Sequence, residues 1–204
     1  MNAPLQVGLT GNVASGKSSV ARRWEAAGIP VVSADDLARQ AVAPGSEGLR
    51  KVMEAFGDAM LGSAGELDRP KLRAAVFGDP EARALLEGIL HPRIARLRSV
   101  WVADRVREGH RLVVSEIPLL FEAGLEDAVD RIVLVDAPRA ERRRRLVEDR
   151  GLDADEAERI MDAQLDPAAK RPRSHHVIEN DGSLEELEAR ADQVLADLRQ
   201  EAGA

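Results

Sequence analysis

The chain contains no cysteine. Disulfides, thiol nucleophiles and zinc–thiolate centres are therefore excluded from any account of it. Long apolar runs are missing too, since nothing approaches the roughly 18 residues that a membrane-spanning helix needs. The opening Met1-Asn2-Ala3-Pro4-Leu5 lacks the basic region and apolar stretch of a signal peptide. A cytoplasmic protein is the expectation. Positive charge is in deficit: 29 lysines and arginines stand against 36 acids, a net charge of −7. No nucleic acid and no membrane are expected as partners. A phosphorylated substrate would have to be held by local basic clusters rather than by the overall field. No internal repeat or low-complexity linker divides the 204 residues. One globular unit is expected, with room for a small inserted subdomain.

What is present is concentrated first in residues 11–18, Gly11-Asn12-Val13-Ala14-Ser15-Gly16-Lys17-Ser18. This stretch fits G-x-x-x-x-G-K-[ST], the phosphate-binding P-loop. Its flanks agree: Leu5 to Thr10 reads as a buried strand, and the residues after Ser18 as a helix capped by Gly28. Gly11 and Gly16 allow a sharp turn and close approach to an anion, where a Cβ would collide. The N–H groups of the loop and of the helix start then converge on one point, favoured for negative charge by the helix dipole. Lys17 can reach the β- and γ-phosphates of a nucleotide, and the Ser18 hydroxyl can ligate Mg²⁺.

Further along, Pro30-Val31-Val32-Ser33 reads as a second strand that delivers Asp35 at its end. Residues 37–109 turn helical, with Asp68 and Asp79 as N-caps followed by proline. His91-Pro92 is read there as a break between two helices. So long a segment between strands suggests a helical insertion. Residues 111–116 and 131–136 are continuous apolar runs of the kind found in parallel strands covered on both faces. Two charged helices around 139–150 and 154–164, a short strand at 176–179 and a final helix opened by a Ser183–Glu186 capping box complete the chain. In that last helix Leu184, Leu187, Ala191, Val194, Leu195 and Leu198 form the expected buried stripe. The fold class predicted is α/β, a doubly wound and mainly parallel five-stranded sheet, with ligands at the carboxyl ends of the strands.

Several candidates for chemistry lie outside the loop. Asp35 either accepts a proton from a substrate hydroxyl or caps the helix that follows. Glu116, ending the third strand, either holds Mg²⁺ or is a surface acid. Arg142 to Arg145, with Arg150 and Arg159, form a basic block in an acidic protein. Helical spacing places Arg142, Arg145 and Asp149 in one row and pairs Glu141 with Arg145. At least two of these arginines are expected on a solvated face, while others belong to a phosphate-clamping lid. His175 and His176 point to opposite sides of a strand, which argues against a shared metal.

Together these pieces resemble the dephospho-CoA kinase family along nearly the whole chain. The resemblance rests on Gly8-Leu9-Thr10-Gly11 through Ser18, Ala34-Asp35 with Leu37-Ala38-Arg39, and Leu90-His91-Pro92-Arg93-Ile94. It continues through Ile117-Pro118-Leu119-Leu120-Phe121-Glu122, then Arg159-Ile160, Gln164 and Lys170-Arg171, and closes on Val177-Ile178-Glu179-Asn180. It implies a P-loop kinase phosphorylating the ribose 3′-hydroxyl of dephospho-CoA with ATP and Mg²⁺, the last step of coenzyme A synthesis. Asp35 would be the base. Lys17 and Ser18 would anchor phosphate and magnesium, with Glu116 as a second metal residue and Asn180 bordering the adenine. Arg39, His91, Arg145, Arg150 and Arg159 would serve the substrate and lid regions. The division implied is a core at about 1–36, 110–138 and 172–204, a CoA-binding insertion at about 37–109 and a lid at about 139–171. ATP and dephospho-CoA are the expected partners of a monomer or weak homo-oligomer. Another small-metabolite or nucleoside monophosphate kinase is the nearest rival. A GTP switch is disfavoured, because the chain contains neither D-x-x-G nor N-K-x-D.

Overall fold

The computed structural model describes residues 3–203. These form two compact units, one made of residues up to Ser33 together with those from Arg105 onward, the other of Ala34–Asp104. The first unit carries five strands: β1 (Leu5–Thr10), β2 (Val31–Ser33), β3 (Leu112–Glu116), β4 (Arg131–Asp136) and β5 (His176–Glu179). Their spatial order is β2-β3-β1-β4-β5, and every neighbouring pair is parallel. All strands therefore end at one edge, where Ser33, Glu116, Thr10, Asp136 and Glu179 stand side by side. β1 is central, so whatever follows Thr10 lies in the middle of that edge. The expected mainly parallel five-stranded sheet is what the chain forms.

The strands are apolar along their length because both sheet faces are covered. Val7, Leu9, Val114, Val133, Val135 and Ile178 pack into one cluster with side chains of α1 (Lys17–Ala26) and α9 (Leu184–Ala202). Trp24 of α1 is fully buried and donates its indole N–H to the Ala191 carbonyl at 3.0 Å. That bond removes the cost of burying a lone donor. The capping box on α9 is formed: Glu186 N–H donates to Ser183 Oγ at 3.2 Å, and Ser183 N–H to Glu186 Oε2 at 2.7 Å. Leu187, Ala191, Leu195 and Leu198 are buried as expected, whereas Leu184, in the first turn, is exposed.

The second unit is helical: α2 (Ala34–Ala41), α3 (Glu47–Phe56), α4 (Arg69–Val76) and most of α5 (Pro80–Arg107). Val42, Leu49, Val52, Leu67, Leu72 and Ile89 form its core. Asp68 caps α4 by accepting Lys71 N–H at 3.0 Å, and Asp79 accepts Glu81 N–H and Ala82 N–H at 3.0 Å each. The expected break at His91-Pro92 does not occur, since α5 runs through Pro92. Proline withdraws one backbone donor and crowds the carbonyls of the preceding turn. Here Arg93 turns its guanidinium back to the Ile89 carbonyl at 2.7 Å while reaching Glu47 at 2.7 Å. That contact ties the turn before Pro92 to Glu47 of α3.

From Arg139 to Lys170 the first unit carries α6 (Arg139–Arg144), α7 (Ala154–Asp162) and α8 (Pro167–Lys170). Between α6 and α7 a π-helical turn covers Arg145–Asp149. Such a turn holds an extra residue and so re-aims the side chains that follow. Among the described residues no helix is long and apolar enough to cross a membrane.

Candidate active site

The loop after β1 has the backbone its glycines were expected to permit. Gly11 stands at φ 149° and Gly16 at φ 102°. A Cβ on Gly11 would strike the Val135 carbonyl oxygen, and one on Gly16 would strike Asn180 Nδ2. Both positions therefore need glycine for space as well as for conformation. Ala14 is the one described non-glycine residue with positive φ, at 58°. α1 begins at Lys17, so its N–H groups and dipole open onto this loop. Lys17 lies along the loop with Nζ 3.4 Å from the Asn12 carbonyl.

A cavity of about 470 Å³ adjoins the loop, lined by residues that include Ala14 to Ser19, Arg145, Arg150, Asn180 and Leu184. Its lining includes the loop N–H groups and Lys17, suited to phosphates. The lining also includes the exposed Leu184, whose apolar side chain suits the flat face of a base. Exposure of Leu184 is thus explained by the cavity it lines. Asn180 is buried and fastens the site, donating Nδ2–H to the Ser15 carbonyl at 2.7 Å. It is a strut for the loop as well as a cavity wall.

Of the arginines, Arg145 is brought to the loop. It donates to the Ala14 carbonyl at 3.1 Å and to Asn180 Oδ1 at 3.4 Å. The expected Glu141–Arg145 pair is not formed; Glu141 takes Arg144 at 3.1 Å instead. The backbone between them is a regular α-turn, with Arg145 N–H bonded to the Glu141 carbonyl; the pair fails because the Arg145 guanidinium is taken by Ala14 and Asn180 while Glu141 takes Arg144. Arg142 and Arg145 stand one regular turn apart, as expected, but have separate partners. Arg142 is buried and donates Nε–H to the Ala137 carbonyl at 3.1 Å, and its burial lowers its pKa. Arg139, Arg143 and Arg144 lie in exposed ion pairs with Glu158, Asp162, Glu141 and Glu148. They form the solvated face that was expected. Arg150 lines the cavity, whereas Arg159 stands exposed on α7 and is not among the residues lining it.

The two metal candidates meet. Ser18 Oγ donates to Glu116 Oε1 at 3.3 Å. Two hard oxygen ligands at the foot of a phosphate cradle suit Mg²⁺, which prefers few protein ligands supplemented by water and phosphate oxygens. In the helical unit, Asp35 occupies the exposed first turn of α2, one residue after the helix begins, and not a strand end. Asp36 pairs with Arg39 across one turn of α2. His91 is exposed on α5. His175 serves the sheet, its Nδ1 accepting Ile132 N–H at 3.0 Å beside β4. His176 faces Glu201 at 3.5 Å. Among the described residues no group of three or more acidic, histidine or cysteine side chains could hold a metal ion.

Sequence reasoning missed what Glu122 and Gln164 touch. Glu122 Oε1 accepts from the fully buried Lys170 Nζ at 2.7 Å, and Gln164 Oε1 from Val13 N–H at 2.8 Å. These partners stand 48 and 151 residues away in the chain, so no local pattern signals them.

Comparison with known proteins places this arrangement. The family model described as dephospho-CoA kinase matches residues 5–186. The chain is 45% identical over 193 residues to the dephospho-CoA kinase of Anaeromyxobacter dehalogenans, covering 95% of this chain and 92% of that protein. It is 40% identical over 191 residues to that of Bacillus licheniformis, with 94% and 95% covered. A crystal structure of a Thermus thermophilus protein superposes with TM-score 0.83 at 39% identity, spanning 97% of this chain and 99% of that one. The dephospho-CoA kinase of Campylobacter jejuni, at 23% identity and TM-score 0.73 over 96% and 97% of the two chains, shares the fold. The phosphate loop, the parallel sheet and the matched residues together make this chain a member of the dephospho-CoA kinase family.

Proposed function

We infer that the chain transfers the γ-phosphoryl group of ATP to the ribose 3′-hydroxyl of dephospho-CoA, yielding coenzyme A and ADP. The observation that carries this reading is the match of the family model to residues 5–186, which takes in the glycine-built loop and the cavity beside it. Phosphoryl transfer asks a protein mainly for positioning and for positive charge on the phosphate oxygens. Residues 11–18 supply converging N–H groups, Lys17 a long-stemmed cation, and Arg145 and Arg150 further positive charge at the cavity wall. The adenine is assigned to the part of the cavity lined by Leu184 and Asn180.

Asp35 is the assigned base. It takes the proton of the 3′-hydroxyl as that oxygen bonds to the γ-phosphorus, and the bond to the β-phosphate oxygen breaks to release ADP. Its place within the residues matched by the family model supports the role. Ser18 would hold Mg²⁺, with Glu116 binding directly or through water. When bound, the metal neutralises charge on the β- and γ-phosphates. Arg39 and His91 belong to the helical unit, which we assign to dephospho-CoA; the residues 139–171 are assigned to the lid region, with Arg159 directed to phosphate. The cytoplasm is the assigned compartment, in keeping with ATP as co-substrate.

The test is ADP formation by purified protein with ATP, Mg²⁺ and dephospho-CoA, beside shikimate, gluconate and nucleoside monophosphates. ADP release that depends on dephospho-CoA alone is expected. Faster release with another acceptor would overturn the assignment.

A further inference from the structure

The short segment after α7 is held from two sides. Towards the phosphate loop, Gln164 Oε1 accepts Val13 N–H at 2.8 Å, and the Leu165 carbonyl accepts from Asn12 Nδ2 at 3.0 Å. On the other side, Leu165 N–H donates to Glu122 Oε1 at 3.1 Å. The same carboxylate oxygen accepts from Lys170 Nζ at 2.7 Å, and Lys170 is fully buried. A buried ammonium without a counter-charge is very costly, so this ion pair pins Glu122 in place. An unbroken run of hydrogen bonds thus leads from Lys170 through Glu122 and Leu165 to Asn12, with Gln164 beside it.

The run ends where the loop is under most strain. Ala14, next to Val13, sits at φ 58° without being glycine. Such a conformation persists only where its surroundings over-determine it. Asn12 and Val13 are gripped by the segment at 164–165, and the Ala14 carbonyl by Arg145. Neither Gln164 nor Glu122 is among the residues lining the nucleotide cavity. Gln164 instead lines a neighbouring cavity that Asn12 also lines, and its hydrogen bond in the structure goes to the loop itself.

We propose that Gln164 and Glu122 are positioning residues, a clasp that holds the first half of the phosphate loop so that the N–H groups beyond Ala14 converge on the nucleotide phosphates. The proposal rests on the phosphoryl-transfer reading above for its effect on turnover, but not for its geometry.

Two measurements on the full chain test it. In Gln164→Leu, which keeps the bulk and loses the acceptor, the Val13 amide exchanges with solvent at least about ten-fold faster, while Tm stays near that of the native chain. ADP affinity by calorimetry and the KM for ATP each worsen about five-fold, the effect of one lost hydrogen bond. The KM for dephospho-CoA stays within about two-fold, a split that general destabilisation would not produce. Gln164→Glu retains an acceptor oxygen and restores slow Val13 exchange. Glu122→Gln weakens ADP binding, and its effect is not additive with Gln164→Leu, as expected of residues acting through one segment. Unchanged Val13 exchange in Gln164→Leu, or equal rises in both KM values, overturns the clasp. Strict additivity in a folded double variant overturns the part of Glu122; if Glu122→Gln does not fold, the Gln164 pair decides. Exchange and ADP affinity need no turnover, so a failure of the assigned reaction is told apart from a failure of the clasp.

Discussion

The guanidinium of Arg145 lies 3.1 Å from the carbonyl oxygen of Ala14, the strained residue of the phosphate loop. One side chain from the region after β4 therefore both props the loop and lines the nucleotide cavity. Removing it takes away a charge-assisted hydrogen bond, of the order of 1.5–3 kcal/mol. Arg145→Ala is expected to raise the KM for ATP by about ten-fold or more. Arg145→Lys should rescue little of this, because a lysine lacks the planar fork that reaches Ala14 and Asn180 together. Steady-state kinetics at varied ATP check it; native values in Arg145→Ala would return that arginine to the solvated face.

Glu116 and Ser18 share a hydrogen bond at the foot of the loop. Replacing Glu116 with glutamine keeps the shape and removes the charge. The Mg²⁺ concentration for half-maximal activity should rise about ten-fold, the usual scale for losing a partner of a metal site. A magnesium titration at saturating ATP reads this out. An unaltered midpoint would leave Glu116 as a surface acid.

Much of this was legible in the sequence, and the limits have physical causes. Strands β1, β3 and β4 are readable because both faces of a parallel sheet are buried, so their apolar runs are unbroken. The caps at Asp68, Asp79 and Ser183 are readable because capping is local chemistry. Pro92 misleads, since a proline costs a helix one hydrogen bond and α5, long on both sides of it, continues through. The Glu141–Arg145 pairing misleads because the spacing is right but Arg145 is claimed by the Ala14 carbonyl and Asn180, far away in the chain. Within the site, residues 11–18 announce themselves, and the meeting of Ser18 with Glu116 follows from two strand ends at one sheet edge. What Glu122, Lys170 and Gln164 do is invisible in one dimension, because their partners lie across the fold.

Arg23 of α1 clamps Asp192 of α9 through two hydrogen bonds, at 2.9 and 2.6 Å. The hydrogen bond to Arg23 holds the Asp192 carboxyl below its ordinary value, and the nearby charge adds to this. A carboxyl depressed in the folded state contributes stability that is fully present above its unfolded pKa of about 3.9. That contribution is lost as pH falls through the lower folded value. Arg23→Ala should therefore unfold at lower urea than the native chain at pH 7, with the gap narrowing below about pH 4. A gap of equal size at pH 7 and pH 3 would assign the effect of Arg23 to packing instead.

The central claim is that a glycine-built cradle holds ATP while Asp35 draws the proton from the acceptor sugar. Asp35→Asn tests it most directly, with nucleotide affinity and turnover measured on the same preparation. The account predicts ATP affinity within a few-fold of the native chain and turnover on dephospho-CoA lower by roughly 10²–10⁴, the range for a lost general base. Native turnover in Asp35→Asn would contradict it.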